Sequence, residues 1–164
     1  MKKTLVVYGS TTGTCESIAE TIASKLGVEA TNVTDMTADM VAEADNLVLG
    51  SSTWGAGELQ DDWYDGLSLL KGASLGGKTI ALFGCGDCES YCDTFCGAMG
   101  EIYDALKDSG ARFVGQVSTD GYNFDESEAA RDGQFVGLAL DDVNESDRTE
   151  ERIDAWVESI KPEL

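Results

Sequence analysis

The chain has 164 residues, of which 42% are hydrophobic, so it can bury one ordinary core and is not expected to be disordered. It carries 31 acidic against 11 basic residues, a net charge of −20 at pH 7, and no histidine. This charge disfavours nucleic acid and anionic membrane as partners and favours basic proteins, although a solubility or halophilic surface explains it equally well. Without histidine, the Ser/His and Cys/His nucleophile pairs and most zinc and haem sites are excluded, so a hydrolase is disfavoured.

Short apolar runs alternate along the chain with helical stripes, which are segments whose apolar residues recur at helical spacing. The predicted strands cover residues 4–10, 28–33, 46–52, 78–86 and 111–118. The predicted helical stripes are Ile18, Ile22 and Leu26 before Gly27; Cys92, Phe95, Met99, Ile102, Tyr103 and Leu106 before Gly110; and Ile153, Trp156, Val157 and Ile160 before Pro162. Such alternation predicts a doubly wound α/β sheet of parallel strands with helices on both faces.

One acidic segment interrupts this rhythm. Residues 119–142 are too many for a simple connection from a strand to a helix. We interpret them as an excursion at the last strand, with residues 134–140 completing that strand. There is no apolar run that could span a bilayer and no secretion signal, so a cytoplasmic location is expected.

The first predicted strand leads into GSTTGTCES, residues 9–17, which opens a helix. The hydroxyl groups of Ser10, Thr11, Thr12 and Thr14 surround Gly13. Backbone N–H groups at a helix start attract anions, and hydroxyl groups add donors, so the loop suits a phosphate monoester. It matches neither the nucleoside triphosphate loop nor the GxGxxG turn. An ordinary Ser/Thr-rich helix cap remains the alternative.

Two further loops follow predicted strand ends and carry aromatic residues. Trp54 comes directly after the third strand, followed by Gly55 and Gly57, and Tyr91 lies in the loop after the fourth. Ligands bind beyond the carboxyl ends of such strands, and two aromatic rings could clamp a flat heterocycle. With a phosphate loop beside them, flavin mononucleotide (FMN) fits best. The alternative for Trp54 is a side chain folded back onto the core.

Four stretches of the chain resemble the flavodoxin family, and more closely its long-chain group. They are VVYGSTTGTCES, STWGAGELQDDW, GCGDCESYCDTF and STDGYNFDESEAARDGQFVGLALDD, in the family's order and spacing. The resemblance implies one FMN-binding domain over residues 1–164, a five-stranded parallel sheet in the order 2-1-3-4-5, and an insertion in the last strand. It also implies a monomeric electron carrier rather than an enzyme.

The resemblance further implies which residues contact FMN. They are Ser10, Thr11, Thr12, Gly13, Thr14, Cys15, Ser51, Ser52, Thr53, Trp54, Gly55, Cys85, Gly86, Asp87, Tyr91 and Thr94. Residues 10–15 would hold the phosphate, and Trp54 and Tyr91 would flank the isoalloxazine ring, with Tyr91 coplanar. Gly55 would offer its carbonyl to flavin N5–H after one-electron reduction, and Gly86 with Asp87 would bind the pyrimidine edge. Cys15 replaces the usual threonine, which leaves only its backbone N–H as a donor.

Cys85, Cys88, Cys92 and Cys96 follow the spacing C-x2-C-x3-C-x3-C. This is not the ferredoxin spacing, and no proline follows. Cys92 and Cys96 fall on a helical stripe, where cysteine acts as a small hydrophobic residue. We therefore expect no metal site, and a reactive thiol at most at Cys88 or Cys15.

The expected function is a low-potential carrier of single electrons that shuttles FMN between semiquinone and hydroquinone. Acidic residues near the ring edge would steer it to redox proteins with basic docking surfaces. These are Glu58, Asp61, Asp62, Asp65 and Asp93. Residues 119–134 would assist docking. The alternatives are an FMN-dependent quinone or NAD(P)H oxidoreductase on the same fold, a domain without cofactor, and a metal–thiol protein.

Overall fold

The computed structural model describes residues 3–9, 14–54, 58–59, 63–85, 97–119, 129–131, 133–140 and 146–164. Its strands are β1 (Thr4–Gly9), β2 (Ala30–Asn32), β3 (Asn46–Trp54), β4 (Glu58–Leu59), β5 (Thr79–Cys85), β6 (Arg112–Val114), β7 (Val117–Ser118), β8 (Ala130–Arg131), β9 (Gln134–Phe135) and β10 (Leu138–Leu140). Its α-helices are α1 (Thr14–Leu26), α2 (Ala38–Glu43), α3 (Trp63–Gly72), α4 (Gly97–Leu106) and α5 (Ser146–Ile160). Short 3₁₀ helices cover Val33–Asp35 and Lys161–Glu163.

The main sheet follows the order β2-β1-β3-β5, and both β6 and β10 pair with the remaining side of β5. All these pairs are parallel, and only the short β4 runs antiparallel, against the end of β3. When β4 is set aside and β6 and β10 are counted as one interrupted strand, the sheet has five parallel strands. Numbered by their position in the chain, they lie across the sheet in the order 2-1-3-4-5. The predicted sheet order is therefore confirmed.

Alternate residues of the central strands bury opposite faces of the sheet, as the pleat requires. Val7, Leu49 and Leu82 belong to the core on one face, where α2, α3 and α4 pack. Val6, Val48 and Phe83 belong to the core on the other face, beneath α1 and α5. A strand that is buried on both faces has a continuous run of apolar residues, and these runs made the central strands predictable from the sequence.

The last strand is interrupted by the predicted insertion. β6 lies beside Thr79–Ala81 and β10 beside Phe83–Cys85 of the same neighbour, β5. Between them, β7, β9 and β8 form a separate antiparallel sheet in that order. The excursion from the main sheet thus begins after Val114, not at Thr119 as predicted, because Gly115 adopts a φ of +83° that ends the strand.

The predicted return strand over residues 134–140 is also too long. Gln134–Phe135 pairs within the small sheet, and only Leu138–Leu140 rejoins the main sheet. Periodicity could not separate the two pieces, because Phe135, Val136 and Leu138–Leu140 are all apolar and buried and only Gly137 lies between them. The predicted second strand shortens to Ala30–Asn32, since the Asn32 side chain accepts from Thr34 N at 3.0 Å and starts a 3₁₀ helix.

Three predicted helical stripes agree with the structure. α1 ends before Gly27, which has a φ of +76°, and α5 ends before Pro162. In α4, Met99, Ile102 and Leu106 are buried as predicted, whereas Cys92 and Phe95 lie outside the described residues. The prediction missed α2 and α3. In the part of the chain that the structure describes, no helix is long and apolar enough to cross a membrane.

Candidate functional site

The carboxyl ends of three neighbouring strands meet at one edge of the sheet. Gly9, the last residue of β1, lies opposite Ser51 of β3. Ser51 in turn lies opposite Gly84, and Ser52 opposite Cys85, at the end of β5. The three loops that the sequence singled out therefore leave the sheet side by side, at the edge where doubly wound folds bind ligands.

The first of these loops ends at the start of α1. Residues 10–13 lie outside the described part of the chain, and Thr14 is the first residue of the 13-residue helix. The N–H groups of that first turn have no partner within the helix and can donate to an anion. Cys15 is fully buried in the core beneath α1. Its thiol is shielded from solvent, so the suggestion that Cys15 is oxidisable is wrong for this fold.

The second loop is part of a β-hairpin. β3 continues through Trp54 and pairs with β4, with Thr53 opposite Leu59 and Trp54 opposite Glu58. Trp54 thus belongs to the strand instead of following it, which corrects the predicted boundary at Ser52. Gly55 falls at the connection, outside the described residues. Of the predicted contacts in β3, Ser51 is fully buried.

A buried tryptophan to which the sequence assigned no role connects β3 to the helix that follows the second loop. Trp63, the first residue of α3, is fully buried, and its indole Nε1–H donates to the Gly50 carbonyl oxygen at 2.6 Å. Gly50 has no room for a side chain, because the ring of Phe83 occupies the space of a Cβ atom. The helical spacing of Trp63, Leu67 and Leu70 is the signal that could have revealed this helix.

The third loop follows β5. Gly84 packs closely, since a Cβ atom on it would lie 3.3 Å from the Ser51 carbonyl oxygen. Cys85 is the last residue of the strand, and α4 begins at Gly97. The remaining predicted contacts lie outside the described residues. They are Gly86, Asp87, Tyr91 and Thr94, together with Cys88, Cys92 and Cys96.

Tyr8 lies one residue before the end of β1, opposite Asn32 of β2 and Gly50 of β3. Burial of the ring is the main cause that raises the pKa of Tyr8, and the negative charge of Glu16 raises it further. The hydrogen bond with Asn32 acts in the opposite direction. The phenol is therefore held neutral more firmly in the folded chain than in the unfolded chain.

This shift predicts a loss of stability at high pH. Because the folded pKa exceeds the unfolded value, the contribution of Tyr8 is complete below about pH 10 and is lost as the pH rises towards the folded pKa. Urea unfolding of the wild type and of Tyr8→Phe between pH 8 and 11 measures it. The wild type is expected to lose stability more steeply above pH 10, and parallel curves would contradict the assignment.

Comparisons of sequence point to one family. The flavodoxin family model matches residues 6–156 of this chain. Flavodoxin 1 of Azotobacter vinelandii is 42% identical over 171 residues, covering 100% of this chain and 98% of the relative. Flavodoxin 1 of Escherichia coli K12 is 41% identical over 168 residues, covering 100% of this chain and 96% of the relative.

Solved structures agree with the sequence comparisons. The crystal structure of Fusobacterium nucleatum flavodoxin bound to flavin mononucleotide gives a TM-score of 0.93 at 32% identity, covering 100% of this chain and 99% of that one. Oxidised Flavodoxin 2 from Bacillus cereus gives a TM-score of 0.76 at 27% identity, covering 99% of each chain. Both likenesses extend over at least 99% of this chain.

Proposed function

This chain belongs to the flavodoxin family, and from that premise we propose that it carries single electrons between proteins on non-covalently bound FMN. The observation that supports this most is the register at the sheet edge, where Gly9, Ser51 and Gly84 lie side by side. That register places the N-terminus of α1, the β3–β4 hairpin and the end of β5 around one space. FMN has a phosphate for the first of these elements and a flat ring for the other two.

The residues present fit this cofactor. Residues 10–15 would hold its phosphate through hydroxyl groups and N–H groups at the start of α1. Trp54 and Tyr91 would flank its ring, and the Gly55 carbonyl would accept from N5–H. The segments that complete the pocket are residues 51–53 and 85–87, with Thr94. Two observations support this arrangement. Trp54 is the last paired residue of β3 in the hairpin, and Gly84 packs closely on Ser51.

Bound FMN supplies a ring that accepts and releases electrons one at a time. The three loops contain no lysine or arginine, and the chain has a net charge of −20. The net negative charge would oppose added negative charge on the ring, and the proposed flanking side chains of Trp54 and Tyr91 would exclude water from it. The protein would therefore lower the potential of the more reducing step, while the Gly55 carbonyl would accept a hydrogen bond from N5–H.

Flavodoxins donate electrons to redox partner proteins. Our proposal also covers the oligomeric state of this chain, its location in the cell and the surface that it presents to these partners. The chain acts as a monomer and a single domain in the cytoplasm. Its partners have basic surfaces, which meet acidic residues around the hairpin, among them Glu58 in β4 and the exposed Asp65 in α3. Residues 119–134 extend the docking surface. The relatives are flavodoxins, so the alternative of a quinone reductase is not favoured.

Stepwise anaerobic reduction of the purified protein, followed by visible absorption, tests this function. We expect a yellow protein that turns blue, the colour of flavin that has gained one electron and one proton, before it bleaches. Tyr91→Ala is expected to weaken FMN binding by at least about tenfold, since base–aromatic stacking is of this size. Tyr103→Leu is the matched control, because Tyr103 packs edge-to-face on Phe113 of β6, away from the site.

Two results would contradict the proposal. Bleaching from yellow directly to colourless would indicate a two-electron flavin enzyme. A colourless protein that does not take up added FMN would remove the cofactor from this chain. Equal FMN affinity of Tyr91→Ala and Tyr103→Leu would leave the cofactor in place but would withdraw Tyr91 from the site.

A further inference from the structure

Two buried tryptophans from opposite faces of the sheet bind glycine carbonyl groups in the same way. Trp156 of α5 donates from its indole Nε1–H to the Gly115 carbonyl oxygen at 2.8 Å, and Trp63 of α3 donates to that of Gly50 at 2.6 Å. Gly115 is the residue at which the insertion leaves the main sheet. Gly50 directly precedes residues 51–54, which are proposed to contact FMN. Each hydrogen bond therefore ends beside a segment with a proposed role.

The two tryptophans are connected through one phenylalanine ring. Trp156 packs edge-to-face on Phe83, with ring centroids 6.4 Å apart. The Phe83 ring in turn occupies the space that a Cβ atom on Gly50 would need, and these two residues lie opposite each other in neighbouring strands. The contacts thus continue without a break from Gly115 through Trp156 and Phe83 to Gly50 and Trp63.

The missing side chain at Gly50 lets these contacts pass from one face of the sheet to the other. Phe83 and Trp156 belong to the core beneath α1 and α5, whereas Trp63 belongs to the core beneath α2, α3 and α4. The Gly50 peptide is held by the Phe83 ring on one side and by the Trp63 indole at its carbonyl oxygen. A close-packed interior has little free space to absorb a displacement, so a shift of the ring is passed on to this peptide.

The orientation of Trp156 is fixed at both of its ends. The hydrogen bond to Gly115 holds the indole while its edge lies at 62° to the plane of Phe83. A Cβ atom on Gly115 would lie 2.6 Å from the indole nitrogen, so backbone and ring fit each other closely. Trp156 is 3% exposed and Phe83 is fully buried. Loss of the indole N–H would therefore free the ring next to Phe83 without exposing the contact to water.

From these contacts we propose that Trp156 is a positioning residue for the flavin-binding edge. Acting through Phe83, it holds the Gly50 peptide, and with it residues 51–54, in place for the cofactor. It also connects the first residue of the insertion to that edge. This role rests on the proposed binding of FMN. Filling the core would require only volume, whereas here both indole N–H groups meet glycine carbonyl groups at the two ends of one series of contacts.

The first readout is the NMR signal of the Trp63 indole N–H in the protein as isolated, with any bound flavin retained. The chain has three tryptophans, so its spectrum has few indole signals, and Trp63→Phe assigns the one required. We expect Trp156→Phe to shift the Trp63 signal, although the two side chains belong to different cores. The shift arises because the length and angle of the bond to Gly50 change when the Phe83 ring moves.

The second readout is the affinity for FMN, measured by diluting the holoprotein and recording the fluorescence of the released flavin. Trp156→Phe is expected to raise the Kd of FMN at least about threefold, within the range of energetic coupling through packed side chains. Ile22→Ala is the matched control, because Ile22 is fully buried in the same core but lies eight residues into α1. It removes buried volume at a cost in stability and is expected to change the Kd less than about twofold.

A double variant tests whether the effect passes through Phe83. Phe83→Leu keeps an apolar side chain but removes the ring that lies between Trp156 and Gly50. In this background, Trp156→Phe is expected to produce little further shift of the Trp63 signal, since residues that act in series are not additive. Urea unfolding of each variant confirms that the compared proteins are folded under the conditions used.

Four outcomes would overturn the proposal. They are an unmoved Trp63 signal in folded Trp156→Phe, an equal shift in Ile22→Ala, an undiminished effect of Trp156→Phe beside Phe83→Leu, and an FMN affinity that Trp156→Phe leaves unchanged. All of them leave the electron-carrier function standing, since they concern variants of a protein that holds FMN. Failure of that function would show itself in the wild type, which would not take up the cofactor.

Discussion

Gly137→Ala is expected to lower the free energy of unfolding by about 3 kcal/mol or more, at the upper end of overpacking effects. A Cβ atom on Gly137 would overlap the carbonyl oxygen of Leu82 and lie 2.6 Å from its carbonyl carbon. These are backbone atoms of β5, so no side-chain rotation can relieve the clash. The chain reaches β10 directly after Gly137, and β10 pairs with the end of β5 that leads into the third loop.

Urea unfolding followed by circular dichroism measures this effect. Gly76→Ala is the matched control, because a Cβ atom there meets no other atom within 4 Å and the residue has no positive φ. We expect the control to change the free energy of unfolding by less than about 0.5 kcal/mol. If both variants were equally stable, the close approach of the insertion to β5 would be wrong.

Trp63→Phe is expected to cost about 2–4 kcal/mol, because it removes buried volume and leaves the Gly50 carbonyl without its indole donor. Trp63 is fully buried, and the 2.6 Å hydrogen bond joins residues that are 13 positions apart. It connects the middle of β3 to the start of α3. The bond therefore fixes the helix that follows residues 55–62 to the strand that precedes them, and this segment contains the proposed N5 contact at Gly55.

The same variant separates stability from cofactor binding. Added FMN stabilises a folded protein according to its affinity, and we expect a smaller gain in Tm for Trp63→Phe than for the wild type. Tyr64→Phe is the control, since this neighbouring side chain is 50% exposed and water can replace its contacts. Equal gains in all three proteins would show that Trp63 stabilises the fold without positioning the loop.

Much of the fold follows from local patterns. Runs such as LVVYG in β1 and TIALFGC in β5 are apolar without alternation, because both faces of a parallel strand are covered. α1 and α5 carry apolar residues at helical spacing and end before Gly27 and Pro162. The candidate site was predictable for a related reason. Its three loops follow strand ends, and parallel strands bring those ends to one edge.

Other features could not be read from short-range patterns. α3 was missed although Trp63, Leu67 and Leu70 have helical spacing, because Trp63 was assigned to the second ligand loop and no element was predicted for residues 64–72. Trp54 was placed after its strand, since the hairpin with β4 depends on pairing that periodicity does not show. The sequence left open whether the thiol of Cys15 is reactive, and only the packing of α1 on the sheet revealed that it is buried.

The sequence by itself determined the alternation of strands and helices, the sheet-edge position of the loops and the family to which the chain belongs. Those properties depend on residues close together along the chain. Only the tertiary structure decided where the last strand is interrupted, that Trp63 bonds to Gly50, and that Trp156 packs on Phe83. These depend on distances between segments, which follow from the packing of the whole core.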